Sequence, residues 1–328
     1  MGSASPVRRG SSSPSTPSRI PRVAVIGLGP WGRQLLRVLD GMSGVDLAVN
    51  RGDPAAQAWV RETHPLVRLG SSPADAFDNE AIDAVVIATP IATHASLAIA
   101  ALRAGKDVFV EKPLATRFDE AKQVVAAAEE ARRTLFVGHT FLYDAAFEAL
   151  HAIVQDDPID RIRLSWLKHG TFGEPLAWNL LSHEIAIAMW LTGAKPSAEI
   201  VERAGGPTPV DRLRLSLSFD PGGPLGEILI DRLQDHKTKT AEVTLRSGAE
   251  YLWQDGDLDR VHPGGRRERV HDGTEESLKR ELSAFLGAVA TGRAPRSDGP
   301  FGAAVVGAIE PIARELDTGA AADGAVER

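Results

Sequence analysis

The 328-residue chain has no cysteine, which excludes disulfides, thiolate nucleophiles and Cys-ligated zinc together. It has no apolar run near the ~18 residues that cross a bilayer, so a membrane protein is not expected. Positive charge is also scarce: 37 Lys and Arg face 44 Asp and Glu, for a formal charge of −7. Without a sustained basic block, neither nucleic acid nor an anionic membrane surface is the expected partner. None of the nine histidines stands at H-x-x-x-H or H-E-x-x-H spacing, so no metal site is expected. There is no G-x-S-x-G elbow. The opening "MGSASPVRRGSSSPSTPSRI" lacks an apolar signal core and reads as a disordered tail over residues 1–20, in keeping with a cytoplasmic protein.

What remains is a chain of ordinary globular composition, 43% hydrophobic and 25% charged, long enough for two domains. From Val23 to Gly138 short β-branched runs ("VAVIG", "DLAV", "LVRL", "AVVIA", "DVFVE", "TLFVG") alternate with segments of helical period. That rhythm implies α/β architecture, a doubly wound parallel Rossmann sheet over residues 21–141. Beyond residue 155 longer alternating strands appear. In "DRLRLSLSF" Leu213, Leu215, Leu217 and Phe219 share one face and Arg214, Ser216 and Ser218 the other. Residues 142–328 therefore read as an α+β domain with an open, largely antiparallel sheet, closed by two late helices.

The first strand runs into "GLGPWG", which puts Gly27, Gly29 and Gly32 at G-x-G-x-x-G spacing between a strand and a helix, with Pro30 and Trp31 inside the turn. The first glycine permits the bend, the second lets a pyrophosphate approach the backbone, and the third lets helix pack on strand. The helix N-terminus then offers N–H groups to the phosphates. At the end of the second strand, where an acid would bond a ribose 2′-hydroxyl, stand Asn50 and Arg51. Arginine suits a 2′-phosphate, so the cofactor expected is NADP(H), with NAD(H) the alternative.

Three further motifs end later strands: "ATPIATH" (Ala88 to His94), "VEKPLA" (Val110 to Ala115) and "VGHTF" (Val137 to Phe141). In this order, after the glycine turn and before a β-rich second half, they make the chain resemble the Gfo/Idh/MocA oxidoreductases, the glucose–fructose oxidoreductase and inositol dehydrogenase group. The resemblance implies that Gly27, Gly29, Pro30 and Trp31 line the pyrophosphate turn and that Thr89, Pro90 and His94 flank the nicotinamide ribose. It places Glu111 and Lys112 beside the nicotinamide, with Lys112 reaching the reacting oxygen. An ammonium there makes chemical sense, because hydride transfer to a carbonyl builds negative charge on oxygen. The competing role for Lys112 is an ion pair with Glu111. The peptide before Pro113 is a candidate for the cis form.

In the same family an aspartate and a histidine four residues apart, D-x-x-x-H, open a helix of the second domain. Here "WNLLSHEIAIAMW" carries Asn179 and His183 in that register. Asparagine can only exchange neutral hydrogen bonds, and losing the carboxylate disfavours the charged imidazole. Acid–base work then falls to Lys112 and His183, while Asn179 and Trp178 contact substrate. The alternative is a core helix capped by Asn179. His139 and Tyr143, after the sixth strand, are further substrate-contact candidates, and Lys168 and His169 are weaker ones. The resemblance also implies a sugar, sugar-nucleotide or cyclitol substrate and a homodimer or homotetramer. The expected activity is ketone reduction in a biosynthetic setting. Imine or tetrapyrrole reduction, or cofactor binding without turnover, stand as alternatives.

Overall fold

The computed structural model describes residues 20–42, 44–170, 173–220, 222–273 and 276–326. The tail expected over residues 1–20 lies, but for Ile20, outside the described residues. Six parallel strands build the first sheet: β1 (Val23–Ile26), β2 (Val45–Val49), β3 (Arg68–Gly70), β4 (Ala84–Ile87), β5 (Asp107–Glu111) and β6 (Leu135–Gly138). Their order, β3-β2-β1-β4-β5-β6, reverses between β1 and β4, and ligands of such sheets bind at that switch point, beyond the strands' carboxyl ends. Because successive residues of a strand point to opposite faces, β1 feeds two cores. Val23 and Val25 pack with Leu35, Leu36 and Leu39 of α1 (Pro30–Asp40). Ala24 and Ile26 pack with Ala98 and Leu102 of α4 (His94–Arg103) and Val124 of α5 (Phe118–Ala131). Helices α2 (Pro54–Thr63) and α3 (Ala74–Phe77) complete the windings.

Helix α6 (Ala145–Asp156) leads into an eight-stranded sheet of order β14-β13-β12-β11-β7-β10-β9-β8. Its strands are β7 (Ile159–His169), β8 (Ser197–Ala204), β9 (Arg212–Ser218), β10 (Leu225–Asp231), β11 (Leu233–Leu245), β12 (Glu250–Gln254), β13 (Asp257–Val261) and β14 (Arg267–His271). Only β7 and β10 pair in parallel; the other neighbours are antiparallel. Leu213, Leu215 and Leu217 of β9 are buried as their alternation predicts, facing α6 and α7 (Ser182–Thr192) in one core. The opposite face carries charge, with Arg163 of β7 reaching Glu227 and Glu242 of the flanking strands.

The division at residue 141 follows the chain order but not the packing. Helices α8 (Ser277–Thr291) and α9 (Gly299–Val326) return to the first sheet. Phe285 of α8 sits edge-on to Phe109 and Phe136. Ahead of α9, Asp298 bridges to Phe136 at the sheet edge, and Ala303 and Val306 join the core formed by α4 and α5. One face of the Rossmann sheet is thus continuous with the core of the second half, which positions β5 and α7 across a shared cleft.

Candidate active site

The glycine turn takes the shape its spacing implies. Gly27 has φ +99°, and a Cβ there would lie 2.4 Å from the Ala88 carbonyl oxygen. At Gly32 a Cβ would lie 2.0 Å from the Gly27 oxygen, whereas at Gly29 nothing stands within 4 Å. The first and third glycines are therefore demanded by the fold, and the second leaves open backbone. Helix α1 begins at Pro30 with no side-chain cap and no acid in its first turn, so its N–H groups remain available to an anion. These features fit the pyrophosphate of a nicotinamide dinucleotide. Alanine at Gly29, whose φ of −64° suits any residue, is expected to change stability by less than about 0.5 kcal/mol yet weaken NADPH binding at least tenfold. Alanine at Gly32 is expected to destabilise the fold itself; urea unfolding alongside nucleotide titration separates the two.

At the end of β2, the Asn50 side chain accepts from the Asp53 N–H at 2.7 Å, and Asp53 caps α2 through Ala55. Arg51 is exposed. Arg33, which the sequence reading passed over, lies with its guanidinium 5.3 Å from the Trp59 ring and 4.0 Å from Asp53. Two arginines thus flank the place where an adenosine ribose would end.

Beyond β4 and β5 the loops are braced by His94. Its two nitrogens meet the carbonyls of Pro113 and Thr89, each at 2.8 Å, and it is 1% exposed. It holds the loops together, and the expected direct contact with a ribose gives way to a supporting role. Thr89 pairs its hydroxyl with that of Thr93 at 2.7 Å, and Pro90 is exposed at the turn. The Lys112–Pro113 peptide is cis. The carboxylate of Glu111 does not take the Lys112 ammonium: it accepts from the indole N–H of Trp31 and, at 3.2 Å, from the Lys112 backbone N–H. Burial pushes Glu111 up to about 7, against the pull of Trp31 and Lys112. Glu281 of α8 is wholly buried and raised well above its ordinary value by burial and by Glu111, although Thr140 donates to it at 2.7 Å.

The Lys112 ammonium crosses the cleft instead. Nζ donates to the backbone oxygen of Asn179 at 2.9 Å and to its Oδ1 at 3.2 Å. Burial lowers its pKa, partly offset by Glu111 and Glu174 and reinforced by Lys168. Asn179 is not an N-cap. It lies in a π-turn, Ala177–Leu181, that runs directly into α7, and its own N–H bonds the Pro175 oxygen at 3.0 Å. Such turns widen a helix and redirect its side chains. Trp178, half-buried, packs against both cores beside it. His183 stands edge-on to Phe141 at 5.1 Å and tilted to Trp166 at 5.3 Å. Its Nδ1 is buried without a partner. Burial, then Lys112 and Lys239, hold its pKa well below 6.5, so at neutral pH the ring is uncharged.

Two of the expected substrate contacts fall in the core. Tyr143 is 2% exposed, stacked on Phe136 and bonded to Ser297 at 3.0 Å. His139 is 1% exposed, edge-on to Phe301, and burial pushes it down to about 3. The short 3-10 turn after β6, Thr140–Tyr143, folds inward under α8, so both rings are buried, although the Lys112 ammonium helps to hold His139 down. Lys239 of β11, which no motif singles out, is buried near His183. Its ammonium is paired with Glu184 of α7 and lies 3.8 Å from the Trp166 ring centroid and 4.1 Å from that of Phe141. Lys168, half-buried, continues the Trp166 face of β7 toward Lys112, while His169 is exposed. Among the described residues no cluster of His, Asp and Glu could hold a metal ion, and no helix is long and apolar enough to cross a membrane.

A dinucleotide turn, an ammonium at the end of β5 and the helix that faces it are thus brought together. Residues 21–139 match the Gfo/Idh/MocA family model, described as an oxidoreductase family with an NAD-binding Rossmann fold. The chain is 33% identical over 181 residues to an inositol 2-dehydrogenase of Saccharopolyspora erythraea, spanning about half of each chain (52% and 53%). With an inositol 2-dehydrogenase of Paenarthrobacter aurescens it shares 29% identity over 300 residues, 84% of this chain and 89% of the other. In fold it resembles the crystal structure of UDP-N-acetylglucosamine 3-dehydrogenase from Acidithiobacillus ferrooxidans, with a TM-score of 0.80, 22% identity, and 89% and 98% of the two chains covered.

Proposed function

We propose that the protein is an NAD(P)-dependent oxidoreductase that moves hydride between a nicotinamide and a ketone or secondary alcohol carbon of a sugar-like or cyclitol substrate, acting as a ketoreductase with NADP(H). The observation that carries this reading is the Lys112 ammonium, held across the cleft on Asn179 at 2.9 and 3.2 Å, downstream of a glycine turn with one open glycine. When bound, the nicotinamide supplies the hydride. Lys112 stabilises charge growing on the carbonyl oxygen and passes a proton to it. Neutral His183 orients the substrate by a hydrogen bond. Asn179 holds Lys112 in place. Trp31 and Glu111 fix the wall between the glycine turn and that lysine.

The preference for NADP(H) is supported by Arg51 and Arg33 beside Asn50, with Asp53 engaged in capping α2. Replacing Arg51 with alanine is expected to weaken NADPH binding about tenfold, the equivalent of roughly 1.4 kcal/mol, and to leave NADH within about twofold. Nucleotide titration by fluorescence, followed by a turnover screen over keto-sugars and oxidised cyclitols, tests the whole reading. Failure to bind either nucleotide would sink it.

A further inference from the structure

Charge in the cleft is lopsided. Lys112 and Lys168 enter it from the ends of β5 and β7, and both act on His183, as does Lys239. Lys239 is answered by Glu184 and two aromatic faces. No carboxylate among the described residues pairs with the Lys168 ammonium, whose further neighbours are Lys237 and Arg232, the latter engaged with Asp211. Of the remaining acids, Glu111 is taken up by Trp31 and the main chain, Glu281 accepts from Thr140 and is held well above the usual carboxylate range by burial, and Glu174 acts on Lys112 from an exposed position.

Hydrogen-bonding capacity is lopsided in the same sense. An ammonium has only donors, so the Asn179 amide must turn Oδ1 toward Lys112, as the 3.2 Å contact shows. Its Nδ2 is then left with two N–H groups and no protein acceptor among the described residues. An aspartate at this position would offer an acceptor to a substrate hydroxyl; the asparagine offers a donor. The Lys168 ammonium, two residues along the strand face on which Trp166 meets His183 at 5.3 Å, and the Asn179 amide N–H groups both demand an acceptor.

We propose that the substrate carries an oxyanion, a carboxylate or a phosphate ester, beside the carbon that exchanges hydride, and that Lys168 and Nδ2 of Asn179 bind it. This rests on the oxidoreductase reading and narrows its substrate from neutral polyols to acidic ones. In the reductive direction the ketone carbon gains a hydride from the reduced nicotinamide nucleotide. The carbonyl π pair moves to oxygen and takes a proton from the Lys112 ammonium. Solvent restores that proton, and the oxyanion is unchanged.

Calorimetric titration of the full chain saturated with NADP⁺, using D-gluconate, D-glucose 6-phosphate and myo-inositol as probes, tests the inference. One of the two anions should bind at least tenfold more tightly than inositol; gluconate ahead assigns the carboxylate, glucose 6-phosphate ahead the phosphate. Lys168→Gln and Asn179→Asp should each cut that preference at least tenfold, and Lys168→Arg should keep it. The asparagine-to-aspartate change alters no side-chain volume and serves if Lys168→Gln fails to fold. Inositol binding as well as the anions, no probe binding at all, or a preference undiminished in both variants overturns the proposal. NADP⁺ and NADPH titrations on the same protein keep the outcomes apart. Absence of nucleotide binding defeats the oxidoreductase reading, whereas bound nucleotide with a neutral-polyol preference defeats only the anion site.

Discussion

Lys112→Ala is expected to lower kcat/KM by 10²- to 10⁴-fold, the range that a positioned proton donor contributes, while nucleotide titration still saturates. The ammonium extends from the end of β5 to the π-turn that leads into α7, where it is bonded to Asn179. Burial lowers its pKa from that of an ordinary lysine, which brings the group closer to the working pH and makes it the better acid. The sign of the pH dependence follows. Reduction needs the protonated amine, so kcat/KM for reduction falls as pH rises through the lowered pKa, earlier than an unperturbed lysine would allow; oxidation, needing the free amine, rises over the same window. Lys112→Arg separates two contributions. Guanidinium keeps the charge but does not release its proton in this range, so it retains electrostatic stabilisation and loses the titration. A pH profile unchanged in Lys112→Arg would show that the proton comes from elsewhere.

The Rossmann half was readable because everything that defines it is local. Buried parallel strands are short apolar runs, and the glycine fingerprint is contiguous. Gly27 and Gly32 are crowded for reasons that their spacing alone announces. Lys112 and Asn179 were readable through motif position, yet their contact spans 67 residues and no local pattern implies it. Asn179 before an apolar run looks like a helix cap, because a π-turn leaves no signature in residue types. His139 and Tyr143 follow a strand end, where cleft residues stand in such folds, and they are buried by the packing of α8 on the turn after β6 together with Ser297 and Phe301 from the chain that follows. Lys239 was hidden in "HKTKTAEV", whose polar alternation describes a solvated edge. The sequence could not show that Trp166, Phe141 and Glu184 close over that lysine from three other elements.

That enclosure makes Glu184 the residue whose loss should cost the fold most. Lys239 and Glu184 are 3% and 0% exposed, and removing one partner of a buried pair leaves the other charge uncompensated, typically at about 3–5 kcal/mol. Glu184→Ala should therefore lower unfolding stability by that amount at pH 7, measured in urea. The two rings beside Lys239 soften the loss without replacing a carboxylate. Burial already holds Lys239 down to about 8 with Glu184 in place, and without it the pKa falls further. Between that value and the ~10.4 of an unfolded lysine, the unfolded chain binds more protons than the folded one, so stability rises with pH. In the variant this rise begins at lower pH than in the wild type, with a limiting slope of about 1.4 kcal/mol per pH unit. Glu184→Gln combined with Lys239→Met removes both charges while keeping volume, and should recover most of the loss. If the single and double variants unfold alike, lost packing rather than a stranded charge is the cause, and the pair would not be what holds α7, and His183 with it, against β11.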